Sequence, residues 1–216
     1  MGILSPKVRT ALLAAALPAF AAAGAPSDWT DRTNADDWRL TKILRGEVET
    51  AEGREVGDVH DVLIGPEGRI DSVIVERPAG SDGVGACYAR VLVDRLSFEP
   101  DEAVVRLEGG RDQAAAWEVA ERPPGPPPGH HSAHRLVGLP VNLDGAAPWG
   151  EIDELLVARN THDVTAFVIE PNEDRADFSV PWKAAVLELE EHLLVLPFTE
   201  DEIGSLEESP WGEVLR

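Results

Sequence analysis

Three histidines, His130, His131 and His134, fall within five residues of one another. Neutral imidazole is a common ligand for Zn, Cu and Ni ions, so this triplet is the first place where the chain could do chemistry. A closed metal site needs ligands held by packed neighbours and outer hydrogen bonds. The surrounding stretch, RPPGPPPGHHSAH, is instead so dense in Pro and Gly that it favours extended polyproline geometry. Two readings stand side by side: a loose metal site on a linker, or a solvated linker. A fourth histidine, His60, lies between Asp58 and Asp61. Side chains alternate along a strand, so His60 and Asp61 are expected on opposite faces and cannot form a dyad with each other.

The acidic runs EEHLL and TEDEIGSLEES have no Asp-x-Asp-x-Asp-Gly spacing. Weak divalent cation binding is expected there, without a dedicated site. No Gly-x-Ser-x-Gly elbow, phosphate-cradling glycine loop or Cys-x-x-Cys occurs in the chain. The expectation is a protein that is not an enzyme and carries no cofactor. The single cysteine, Cys87, sits in the alternating run CYARVLV and reads as a small buried hydrophobe.

The elements that would position these residues are written twice. VGDVHDVLIGPEGRIDSVIVE from Val56 and WGEIDELLVARNTHDVTAFVIE from Trp149 share Gly, acid, β-branched residue, apolar run, turn, second apolar run and Glu. A shift of 93 places Ile43, Val48, Gly57, Asp58, Val59, Val62, Leu63 and Ile64 on Leu136, Val141, Gly150, Glu151, Ile152, Leu155, Leu156 and Val157. After the turn, a shift of 94 places Ile70 through Glu76 on Val164 through Glu170. After a loop of different length, a shift of 89 places Val91, Val105 and Leu107 on Val180, Leu194 and Leu196. Shifts that change only at loops are those of a duplicated folding unit. Short runs rich in Val and Ile, separated by turn signals, predict strands, and several short strands protect their edges best by closing into a small barrel. One such unit buries little core alone, so the two copies are expected to lean on one another.

The ends of the chain read differently. Lys7 and Arg9, then ALLAAALPAF, then Ala21-Ala22-Ala23 have the order of a cleaved signal peptide, which predicts a periplasmic or secreted protein with no stable membrane insertion after cleavage. Cleavage after Ala23 takes the formal charge from −21 to −23. That charge repels phosphate backbones and argues against nucleic acid as a partner. At the other end, Thr199 followed by Glu202 forms a capping box, and Ile203 and Leu206 give one apolar stripe, predicting a short helix stopped by Pro210.

The segments LVGLPV (136–141), GEIDELLV (150–157), VTAFVIE (164–170), FSVPW (178–182) and FTEDEIGSLEESP (198–210) resemble the PRC-barrel domain family. The second copy resembles it throughout; the first does so through Glu76, and has VLV at 91–93 where the second has VPW. The resemblance implies a mainly β fold of two small PRC-like β-barrels in tandem with a short C-terminal helix. Members of the family assist ribosome maturation or sit beneath a photosynthetic reaction centre, and docking to other macromolecules is what they share. It therefore implies a binding or adaptor role with a protein partner and supplies no catalytic residues. The expected organisation is a signal peptide (1–23), a polar arm (24–42), a first barrel (43–108), a Pro/Gly/His-rich linker (109–135), a second barrel (136–198), and a helix and tail (199–216). Six tryptophans stand beside one tyrosine. Of these, Trp182 and Trp211 flank the end of the second barrel and are the expected partner anchors, since aromatics concentrate binding energy, with a core or barrel-end plug as the other reading of Trp182.

Overall fold

The computed structural model describes residues 37–78, 85–110, 114, 117–143, 148–172, 177–184, 186–188, 193–196 and 199. The signal segment, most of the polar arm, and the terminal helix with Trp211 lie outside these residues.

The described chain is mainly β. In order, β1 is Trp38–Arg39, β2 Glu47–Thr50, β3 Glu55–Ile64, β4 Ile70–Arg77, β5 Cys87–Leu92, β6 Leu96–Glu99, β7 Val104–Leu107 and β8 Val119–Ala120. The second half supplies β9 His131–Ser132, β10 Pro140–Leu143, β11 Pro148–Val157, β12 Val164–Pro171, β13 Phe178–Pro181, β14 Val186–Glu188 and β15 Leu193–Leu196. Strands β2 to β7 form one sheet in the order β6-β7-β2-β3-β4-β5. Strands β10 to β15 form another in the order β14-β15-β10-β11-β12-β13. The two orders are the same order. Within each, only β2–β7 and β10–β15 are parallel pairs. Each sheet curls into a half-barrel. Its end strands are joined by a 3₁₀ turn, Val93–Arg95 in the first and Trp182–Ala184 in the second.

The repeat persists down to register. Val48 faces Val105 and Val73 faces Val91, while Val141 faces Leu194 and Phe167 faces Val180. The shared glycine has a steric cause: a Cβ on Gly57 or Gly150 would strike the carbonyl oxygen of Glu76 or Glu170 on the neighbouring strand.

The two units are joined by exchange. Strand β1, which precedes the first unit, pairs with β11 of the second, with Trp38 opposite Val157 and Arg39 opposite Leu156. Strand β9, which precedes the second unit, pairs with β3 of the first, with His131 opposite Ile64 and Ser132 opposite Leu63. The hairpin turns also meet reciprocally: Ile70 N donates to His162 O at 3.0 Å, and Val164 N to Gly68 O at 2.7 Å. The same shifts of 93 and 94 that relate the sequences convert each of these contacts into its counterpart, so the units face each other across an approximate two-fold axis.

Burial follows from that arrangement. One contiguous apolar cluster runs from Trp38 to Leu196 and draws on both units. In the second halves of β3 and β11, Val62–Ile64 and Leu155–Val157 are buried at successive residues, the pattern of a strand covered on both faces. Segments expected in the polar arm (Trp38–Lys42) and at the end of the linker (His131–Arg135) are the exchanged pieces that close this core.

Candidate functional site

Of the residues that sequence reasoning singled out, His131, Trp182 and Asp61 lie along the joint between the units, and two bulges shape it. The β3–β4 ladder slips between Val59 and Asp61, and the β11–β12 ladder between Ile152 and Glu154. The extra residues are His60 and Asp153. A bulge breaks strand alternation and re-aims the side chains beside it. His60 lies on the partly exposed face, with Nδ1 3.4 Å from Glu76 Oε2 and its ring edge-on to Tyr88 at 4.9 Å. The carboxylates that follow the bulges, Asp61 and Glu154, turn to the exchanged segments.

Each carboxylate caps the helical turn of the other unit. Glu154 Oε1 accepts from Thr41 N at 3.0 Å and from Leu155 N at 2.8 Å, and Glu154 Oε2 accepts from the Thr41 hydroxyl. Asp61 Oδ1 accepts from His134 N at 3.0 Å and from Val62 N at 2.8 Å, and Asp61 Oδ2 accepts from the Ser132 hydroxyl at 2.5 Å. The carboxylates thus accept from two kinds of amide, one in the first turn of the exchanged segment and one on the residue that follows the carboxylate in its own strand. Glu154 is only 2 % exposed. Its burial pushes the carboxyl above the usual range, against the pull of the Thr41 and Leu155 donors and of Arg39 at 3.8 Å. The sequence signal was present in the repeat, which sets Asp61 on Glu154 in otherwise apolar half-strands.

Beside the caps lie two aromatic sockets. On one side Trp38 stacks on Phe98 at 5.6 Å, and His162 meets Phe98 edge-on at 5.1 Å. On the other, Trp182 stacks on Phe167 at 4.8 Å, and His131 meets Trp182 edge-on at 5.8 Å. The repeat equates Trp38 with His131 and Gly68 with His162, so each socket takes one residue from an exchanged strand and one from a hairpin turn. Gly68 has φ +85°, and a Cβ there would come within 2.7 Å of the Trp182 indole. Gly68→Ala is therefore expected to cost about 1–3 kcal/mol, through strain at positive φ and the clash with Trp182. Urea unfolding checks it, and Gly53→Ala, also at positive φ but with open space at its Cβ, is the control that isolates the clash.

The three linker histidines occupy separate environments. His130 Nε2 lies 3.8 Å from Asp71 Oδ1, and His130 Nδ1 lies 3.3 Å from Pro128 O. Burial would raise the Asp71 carboxyl, but the hydrogen bonds and charge of Arg90, with Ser72 and His130, hold it below its ordinary value. His131 points into the Trp182 socket, and His134 is exposed. Among the described residues, no group of three or more His, Cys, Asp or Glu is arranged to hold a metal ion. At 9 % exposure the Trp182 ring is enclosed by Phe167, His131 and Gly68. Trp211 lies outside the described residues. The exposed large apolar side chains among those described are Leu92 and Val119, on neighbouring strands β5 and β8.

The arrangement holds the two units together. A search of curated proteins finds no match to the chain. The PRC-barrel domain family, which often serves in protein interaction and is generally non-catalytic, matches residues 128–203. That match takes in the exchanged strand β9 together with β10 to β15, so residues 128–203 are similar to a PRC-barrel domain.

Proposed function

We propose that this protein is an exported, non-catalytic docking module that binds a protein partner, and that its first unit is a diverged copy of the same domain. The observation that carries the reading is the family match over the second unit. The common strand order and register of the two sheets support extending it to the first. The joint consumes the inner face of each unit, so the partner meets an outer face. With Trp182 enclosed, Trp211 is the anchor that remains from the sequence reading. Export rests on the order of charge, apolar stretch and small residues in the first 23 positions.

The test has two parts. Mass spectrometry of the protein recovered from its own cells is expected to show a chain beginning at Gly24. Capture from the cell envelope fraction at native salt is expected to return one stoichiometric protein that re-forms the complex from purified components, and Trp211→Ala is expected to weaken that complex at least tenfold. Full-length protein confined to the cytoplasm overturns export, and failure of any captured protein to re-form a complex overturns docking.

A further inference from the structure

We propose that the joint between the two units is pH-responsive, closed while His131 and His162 are neutral and loosened when both take up protons. This inference stands on the joint alone and does not depend on the partner reading. Each aromatic socket holds one histidine, at positions that the repeat does not equate, and each sits on a backbone contact between the units. His131 is on exchanged strand β9 opposite Ile64, its ring against Trp182. Its Nδ1 is buried and has no hydrogen-bond partner among the described residues. His162 sits on the β11–β12 turn at φ +59°, its ring against Phe98 and its carbonyl accepting from Ile70 N of the other unit.

The charges around each ring do not compensate for a proton. Facing His131 are Trp182 and its neighbour His130, whose own carboxylate partner, Asp71, is already engaged by Arg90 at 2.6 Å. Asp61, the acid nearest in sequence register, is taken up by Ser132 and His134 N. Around His162 stand Arg69 of the opposing turn and Asp163 of its own, with opposite effects. Arg159 of that turn reaches Asp101 at 3.8 Å, and Asp101 also meets Lys42 at 3.4 Å. Burial lowers both imidazoles below their ordinary value, helped by His130 at His131 and by Arg69 at His162, with Asp163 opposing at His162.

The sign follows from that direction. Above the free-imidazole value near 6.5 neither the closed nor the open joint binds the protons, and closure is at full strength. As pH falls below it, the open form takes up protons first, and opening becomes up to about tenfold easier per pH unit per histidine until the lower closed-state value is reached.

The experiment compares urea midpoints of the whole exported chain at pH 7.5 and 5.5, read by tryptophan fluorescence, for the wild type and for His131→Phe/His162→Asn. Phenylalanine suits an aromatic socket, and asparagine tolerates the left-handed backbone at 162. A parallel pair in a Glu154→Gln background removes that carboxylate from the window. The wild type is expected to lose at least tenfold in its folding equilibrium over this interval, and the double variant less than about threefold. Equal losses in both overturn the proposal. So does an NMR titration of the wild type placing both imidazoles at or above about 6.5, a reading that needs no variant to fold.

Discussion

Trp182→Ala is expected to lower the stability of the whole chain by about 3–5 kcal/mol, the range for removing a large aromatic from a packed core. The ring stacks on Phe167 with an interplanar angle of 15°, receives the edge of His131, and lies over Gly68 of the other unit. Its loss leaves a cavity where the two units meet rather than at an edge. Both units share one apolar cluster, so urea unfolding is expected to remain a single transition shifted to lower denaturant, not to split into early loss of the second unit. Trp182→Phe keeps a ring on Phe167 and is expected to cost less than half as much. A residue that served chiefly as a surface anchor would behave oppositely, losing partner affinity with stability nearly intact. A loss under about 1 kcal/mol for the alanine variant would refute the enclosed placement.

The barrel strands were legible in the sequence because their signal is local. Val and Ile runs broken by GPEG or ARNTHD announce β3, β4, β11 and β12, and the repeat shifts carry the register of both sheets. The joint was not legible, because nothing local distinguishes a polar arm from an exchanged strand. Trp38–Arg39 is two residues long, and its partners at Leu156 and Val157 lie more than a hundred residues away. A cue existed in the apolar triplets Val62-Leu63-Ile64 and Leu155-Leu156-Val157, which no half-solvated strand needs. His60 and Asp61, expected to point apart, have separate partners, Glu76 and Tyr88 for His60 and Ser132 and His134 N for Asp61; what alternation does not reveal is the bulge between Val59 and Asp61. Trp182 was read from its place near the end of the second barrel, which marks a chain position and not the neighbour that covers it. That neighbour is the other unit, invisible until the reciprocal pairing is known.

The caps themselves make the second large prediction. Glu154→Ala would leave Thr41 N and Leu155 N buried without an acceptor, at an expected cost of about 2–5 kcal/mol for two orphaned donors. Glu154→Gln keeps a carbonyl oxygen for those amides and removes a charge that burial disfavours, so it is expected within about 1 kcal/mol of the wild type at pH 7. The pH dependence separates the two roles. Because the folded chain holds the Glu154 proton more readily than the unfolded one, this group adds stability as pH falls through its raised folded-state value and loses it as pH rises. The glutamine variant lacks that gain, so it should fall behind the wild type between pH 7 and pH 5 when urea midpoints are compared. Asp61→Ala is the matched control: it caps the same turn in the other unit, but from a half-exposed position, where water can replace it. Its expected cost is about 1–2 kcal/mol. If Asp61→Ala proved as damaging as Glu154→Ala, the two caps would be equivalent, and the burial that sets Glu154 apart would have no energetic meaning. If Glu154→Gln were as damaging as Glu154→Ala, the charge and not the hydrogen bonds would hold the first unit's leading segment on the second.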